Sequence, residues 1–133
     1  MGTAKINHYD KLDLIVVTFA GNVLYPEIRD AMDKGYKAAI TRYALIDLTA
    51  ADVSKLTREE LNLLSEQSIE NGKKRGGCFD LMVVPGIMQY TMATLYTAYC
   101  FAKSRNSAQT KLFRDKAEAL NWIKINETNA GRP

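Results

Sequence analysis

Tyr43-Ala44-Leu45-Ile46-Asp47-Leu48, then Thr49-Ala50-Ala51-Asp52-Val53-Ser54-Lys55, then Leu56-Thr57-Arg58-Glu59-Glu60-Leu61 is the stretch that decides the fold. Its first part is an apolar run of strand length, the second a polar connection, and the third carries the marks of a helix start. Thr57 and Glu60 stand at capping-box spacing, and Leu56 and Leu61 are placed where a hydrophobic staple clamps the first turn. A buried strand that passes through a loop into a capped helix is the repeating step of an α/β domain.

The same step recurs on either side. Upstream, Ala4 to Tyr9 alternates and meets Asp10-Lys11, after which Leu14-Ile15-Val16-Val17-Thr18-Phe19 is a β-branched run ended by Gly21. This predicts a hairpin whose second strand is buried on both faces. Pro26 suits a first helical turn, and Ile28, Ala31, Met32, Gly35, Tyr36 and Ala39 recur at helical spacing through about residue 41. Downstream, Leu61, Leu64, Ser68 and Ile69 give the capped helix an inner stripe, with Gly72 as its left-handed stop. A basic turn, Lys73 to Gly77, leads into the strand Cys78 to Val84, closed by Pro85-Gly86. Then come a helix from about Met88 to Lys103 and a short strand, Thr110 to Phe113. Asp115 with Glu118 caps a last helix carrying Leu120, Trp122 and Ile123.

The expected fold is therefore α/β. A mixed, largely parallel five-stranded sheet has flanking helices, built from an N-terminal β-hairpin, three helix-strand units and a C-terminal helix. Right-handed crossovers bring the strand ends at Leu48, Val84 and Phe113 to one edge. At 133 residues the chain has the size of a single domain, assigned to 1–126, with the polar residues 127–133 as a disordered tail.

Apolar residues make up 47% and charged residues 25%, ordinary globular usage. No apolar run is long enough to cross a bilayer, and Met1-Gly2-Thr3-Ala4-Lys5 lacks the order of an export signal, so the expectation is a cytoplasmic protein without stable membrane insertion. Cys78 and Cys100 form no C-x-x-C pair and read as buried free thiols, and His8 is the only histidine, so neither a metal nor a cofactor is expected. Residues 1–66 carry eight basic and ten acidic side chains, residues 67–133 ten and five. That mild asymmetry falls short of the basic stripe interleaved with aromatics of nucleic-acid binders.

Several residues invite a functional reading. Asp47, Asp52 and Glu60 are carboxylates near one edge, but no convergent acid, base and electrophile can be assembled around them, and Asp47 and Glu60 suit local backbone bonding better than catalysis. Gly72 to Gly77 leaves a helix and enters a strand, the reverse of a phosphate loop. His8 reads as an ordinary strand residue. The helix 88–103 is more unusual. Besides the stripe Met88, Met92, Leu95, Tyr99 and Ala102 it carries Tyr90, Tyr96, Cys100 and Phe101 on other faces. A helix apolar over most of its circumference needs cover on two sides. A neighbouring helix, a second copy of the chain or a small apolar ligand can supply the second cover.

Three stretches together resemble a known family. They are Leu45-Ile46-Asp47-Leu48 before the capped helix, Met82-Val83-Val84-Pro85 leading into the Met- and Tyr-bearing helix, and the ending from Leu112 to Ile123. From about Ile6 to Ile123 the sequence is similar to the SpoIIAA-like branch of STAS domains, the group related to bacterial anti-sigma factor antagonists. The resemblance implies helices gathered mainly on one face of the sheet, no catalysis, and a role in binding proteins or small ligands. In regulatory STAS domains a partner kinase phosphorylates a Ser or Thr at the start of the helix after the middle strand. Thr57 falls closest to that position and Ser54 next, although Ser54-Lys55-Leu56-Thr57-Arg58 stands where the usual Asp-Ser precedes a glycine.

The expectation is thus a non-enzymatic, homodimeric interaction domain, with Asp47, Ser54 and Thr57 as a possible phospho-acceptor or partner edge. The alternative is a carrier of an apolar or amphipathic small molecule held between the sheet and the 88–103 helix. Pro85, Gly86, Met88, Tyr90, Met92, Tyr96 and Tyr99 mark the ligand or dimer surface.

Overall fold

Leu14, Ile15, Val16 and Val17 are buried in succession, which an alternating strand achieves only when both its faces are covered. The computed structural model describes residues 2–38, 40–75, 78–103 and 109–129, and this run lies at the head of a strand inside a five-stranded sheet. β1 (Thr3–Tyr9) pairs antiparallel with β2 (Leu14–Asn22) across a 3-10 turn, Asp10–Leu12, with Asp13 left-handed at φ 51°. α1 (Tyr25–Ala38) leads to β3 (Tyr43–Asp52), α2 (Arg58–Arg75) to β4 (Phe79–Val83), and α3 (Ile87–Lys103) to β5 (Gln109–Phe113). α4 (Lys116–Asn129) closes the described chain. The sheet order is β1-β2-β3-β4-β5, and every pair after the hairpin is parallel.

Because each crossover steps the same way along the sheet, right-handed connections place α1, α2 and α3 on one face and leave the other to α4. The two cores follow from strand alternation. Ile15, Val17, Phe19, Ala44 and Leu48 face the three-helix side. Leu14, Val16, Tyr43, Leu45, Leu81 and Val83 face α4, where Ala119 and Ile123 meet them. Trp122 of α4 closes an aromatic cluster over this second core, edge-on to Phe79 at 5.2 Å and to Tyr43 at 6.3 Å. Arg42 and Glu127 form an ion pair at 3.9 Å beside it.

Element boundaries differ from the sequence reading in instructive places. β3 does not end at Leu48 but runs to Asp52 through a bulge: Thr18 faces Asp47 and Ala20 faces Ala50, so two steps on β2 match three on β3. The extra residue reverses the alternation, and Leu48 and Ala51, three apart, both join the three-helix core. α1 ends at Ala38, earlier than expected, and α2 passes through Gly72, which is buried within the helix and does not stop it. α4 continues to Asn129, so Glu127, Thr128 and Asn129 of the expected tail are helical. Residues 130–133, Ala39 and the Gly76-Gly77 end of the basic turn lie outside the described residues.

Candidate functional site

Between the sheet and its three-helix roof lies a cavity of about 90 Å³. Its floor is Ile15, Val17, Phe19, Ala44, Ile46, Leu48 and Met82, and its roof includes Ile28 and Met32 of α1, Leu61 and Leu64 of α2, and Met92, Ala93 and Tyr96 of α3. The lining is apolar except for Ser68, Asp80, Gln89 and the Tyr96 hydroxyl. Asp80, the second residue of β4, is only 5% exposed.

Two clamps hold the roof. At the start of α3, Gln89 accepts the Gly86 N–H at 2.8 Å, in the manner of a capping box, and donates to the Leu48 and Ala51 carbonyls at 2.6 and 2.8 Å. These carbonyls lie where β3 has bulged and outrun β4, whose last pair is Val83 with Asp47, so Gln89 stands in for the missing neighbouring strand. At the far end of α3, the Lys103 ammonium donates to the fully buried Ser65 hydroxyl at 2.7 Å and to the Asn62 side-chain oxygen, and lies 5.3 Å from the Tyr99 ring centre. Cys100 is buried and within hydrogen-bonding reach of Tyr96; burial pushes its thiol pKa up, the Tyr96 bond opposes this, and the nearby Asp80 charge adds to it.

The edge named by Asp47, Ser54 and Thr57 is structurally occupied. The Asp47 carboxylate accepts the Thr49 N–H at 3.0 Å and the Thr49 hydroxyl at 2.6 Å, closing the bulge. Asp52 accepts the Ser54 N–H at 2.9 Å, and its bonds to the Ser54 side chain and backbone hold its carboxyl below the usual range. Thr57 and Glu60 form the reciprocal box: the Thr57 hydroxyl accepts the Glu60 N–H at 3.1 Å and the Glu60 carboxylate accepts the Thr57 N–H at 2.9 Å. Leu56 and Leu61, the staple pair, are both buried. All three lie on or just beyond the end of β3, with Gln89 tying that end to α3.

The seven residues expected to form a ligand or dimer surface divide between two places. Met92 and Tyr96 line the cavity, Tyr99 packs against the three-helix core, and Met88 and Tyr90 face outward, both more than half exposed. Pro85 is exposed, and Gly86 caps α3. The inward face of α3 is therefore rotated from the expected stripe. Ala93 and Cys100 are its buried residues, and Met88 and Ala102 are exposed. Small side chains at the contact let the helix sit close to the sheet, and apolar residues all round the helix hid this from periodicity. The outward ridge is Ile87, Tyr90, Thr94, Ala98 and Phe101, and no charged residue occurs from Ile87 to Ala102.

Sequence reasoning passed over Gln89, Asp80 and Lys103 as site residues. A Gln three residues after the Gly that opens a helix is a capping signal, and a lone Asp in an apolar strand marks a buried polar group; both were legible. The Lys103 clamp joins residues 38 and 41 apart and left no local trace. Among the described residues no three His, Cys, Asp or Glu side chains gather as for a metal ion, and no helix is long and apolar enough to cross a membrane.

No family model and no curated protein matches the sequence. Solved structures do. An anti-sigma factor antagonist from Mycobacterium paratuberculosis aligns over 93% of this chain and 95% of its own, with a TM-score of 0.60 and 17% identity. An uncharacterised DUF3478-family protein with a SpoIIAA-like fold from Shewanella loihica aligns over 92% and 93%, with a TM-score of 0.58 and 18% identity. With its antiparallel first strand, parallel remainder, three helices on one face and one on the other, the chain has the SpoIIAA-like fold of STAS domains.

Proposed function

We propose that the chain is a non-enzymatic, STAS-like regulatory domain that acts by binding protein surfaces through the outward face of α3, and that it pairs there with a second copy of itself. One observation carries this reading. Ile87 is 88% and Phe101 65% exposed, Met88 and Tyr90 lie between them, and the helix has no charge to hydrate that face. The Thr91 and Thr94 hydroxyls donate to the Ile87 and Tyr90 carbonyls, each at 2.8 Å, so their polar hydrogens are bonded within the helix. An uncharged ridge along a whole helix is the kind of surface that soluble proteins keep for partners, and two-fold pairing dominates soluble assemblies. Gln89 ties the strand end that leads to Ser54 and Thr57 to the start of α3, and in this reading the edge of Asp47, Ser54 and Thr57 belongs to the same contact surface, with Thr57 serving as its cap. The solved neighbour described as an anti-sigma factor antagonist supports a partner that is a protein.

Sedimentation equilibrium over micromolar to millimolar concentrations tests it. The expected result is a reversible dimer that the double substitution Tyr90→Glu and Phe101→Glu converts to monomer, with a melting temperature that matches the wild type's at concentrations where the wild type is itself monomeric. A wild-type monomer throughout that range removes the self-pairing, and a dimer that the substitutions leave intact removes α3 as its site.

The cavity favours a second reading, a carrier or sensor of a small apolar ligand held beneath the three-helix roof. Its support is the volume and the mostly apolar lining, because apolar space of this order accepts small apolar molecules. Xenon, which reports such cavities, is expected to perturb the lining side chains in solution; their indifference to it sinks this reading.

A further inference from the structure

We propose that the cavity takes a short hydrocarbon ending in a hydrogen-bond donor, an alkyl amine or alcohol, and turns away the matching carboxylic acid, an assignment that rests on the cavity reading above. The polar groups in the lining sit at opposite ends. α2 and α3 run antiparallel to the strands, so Gln89 lies over the strand ends at Leu48, and Tyr96, seven residues on, lies about 10 Å back along α3. Asp80 pairs with Ala44 near the strand starts. Ser68, in the second half of α2, reaches the same end.

These two ends differ chemically. Gln89 uses both amide hydrogens on carbonyls of β3 while its oxygen holds the Gly86 N–H, so that end has no donor to offer a ligand. The other end presents the Asp80 carboxyl and the Ser68 and Tyr96 hydroxyls. Asp80 is engaged within the fold, but a carboxylate has about four acceptor sites and receives one more donor. A ligand carboxylate placed there would meet a like charge in a poorly solvated space, where repulsion is strong. An ammonium or hydroxyl head meets an acceptor. The size follows from comparison: an engineered cavity of about 150 Å³ holds benzene, so 90 Å³ suits a chain of about two carbons with its head group. α1 and α2, which both line the cavity, touch sparsely and are bridged by Gln67, whose amide donates to the Arg29 carbonyl at 3.0 Å and to the Asp33 carboxylate at 2.7 Å.

Methionine methyl groups make the test direct, because Met32, Met82 and Met92 line the cavity and Met88 is outside it. The full chain, labelled with ¹³C at methionine methyls, is titrated separately with ethylamine, ethanol and acetate at constant pH and ionic strength. The expected result is that ethylamine and ethanol shift the three lining methyls and leave Met88 unmoved, with acetate at least about ten-fold weaker. Asp80→Asn brings acetate within about two-fold of ethanol, since the repelling charge is gone. Should that variant fail to fold, Ala93→Leu, which fills the cavity, is expected to abolish the shifts, and their persistence overturns the proposal. Acetate binding as well as ethanol at the same three methyls overturns the head-group assignment and leaves the cavity reading standing. No shift with any of the three, or movement of Met88 alone, overturns both.

Discussion

Gln89 does more for this fold than its place on an otherwise uncharged helix suggests. Its three hydrogen bonds join the cap of α3 to the end of β3, and a bulged strand end that has outrun its neighbour needs partners for its carbonyls. Gln89→Ala is expected to cost about 2 kcal/mol, because it leaves partly buried acceptors unsatisfied as well as removing favourable bonds. Urea denaturation with an unchanged m-value checks the figure, and a loss below about 0.5 kcal/mol would mean that water replaces the amide without penalty. Thr57 is bound into the fold just as locally. Its oxygen already accepts the Glu60 N–H, so a phosphate there would stand against the Glu60 carboxylate that holds the Thr57 N–H. The residue favoured for modification by position is thus the one whose modification most disturbs the cap, and a phosphate on Ser54 would meet the same objection from the Asp52 carboxylate to which that residue is bonded.

At the scale of elements, what could be read in advance was what local chemistry determines. The two capped helix starts, Thr57 with Glu60 and Asp115 with Glu118, form as the spacing indicates, the latter through the Glu118 N–H to Asp115 bond at 2.8 Å. The doubly buried β2 followed from its unbroken β-branched run. The extension of β3 did not, because Thr49-Ala50-Ala51-Asp52 lacks the bulky branched side chains that mark a strand, and pairing with Ala20, Gly21 and Asn22 holds it in place. Nor did the cavity: it is a shortfall of packing among side chains from six elements, and periodicity along any one of them carries no trace of it. Half the story of α3 was legible, its excess of apolar surface, but not which way it turned. α4 shows how an element with little amphipathic pattern is still fixed, through one large anchor. Trp122 meets Phe79, Tyr43 and Phe113, with ring centres 5.2, 6.3 and 6.3 Å away. Trp122→Ala is expected to cost about 3–5 kcal/mol and to release α4 before the rest, seen as faster amide exchange confined to that helix. Uniform acceleration across the sheet would show instead that α4 and the sheet unfold as one unit.

For the whole molecule, the sheet separates two cores of unequal density, and this asymmetry links stability to function. The α4 side is filled by Tyr43, Leu45, Leu81 and Ile123, each fully buried, whereas the three-helix side retains about 90 Å³ unfilled. Adding volume must therefore have opposite consequences on the two faces. Ala93 and Ala119 are both buried helical alanines facing the sheet, one beside the cavity and the other against the dense core, so helix propensity nearly cancels between them. Ala119→Leu is expected to destabilise by about 1–3 kcal/mol, the usual cost of overpacking. Ala93→Leu gains contacts in empty space and is expected to be neutral or mildly stabilising, leaving about 2 kcal/mol between the variants. Denaturation midpoints of the two proteins under one set of conditions decide the matter. Equal destabilisation would mean that the three-helix roof closes onto the sheet in solution and leaves no room for a ligand. A difference of the expected size would mean that this chain keeps unfilled the core whose roof it fastens with Gln89 and Lys103, giving up packing energy there that the α4 side retains.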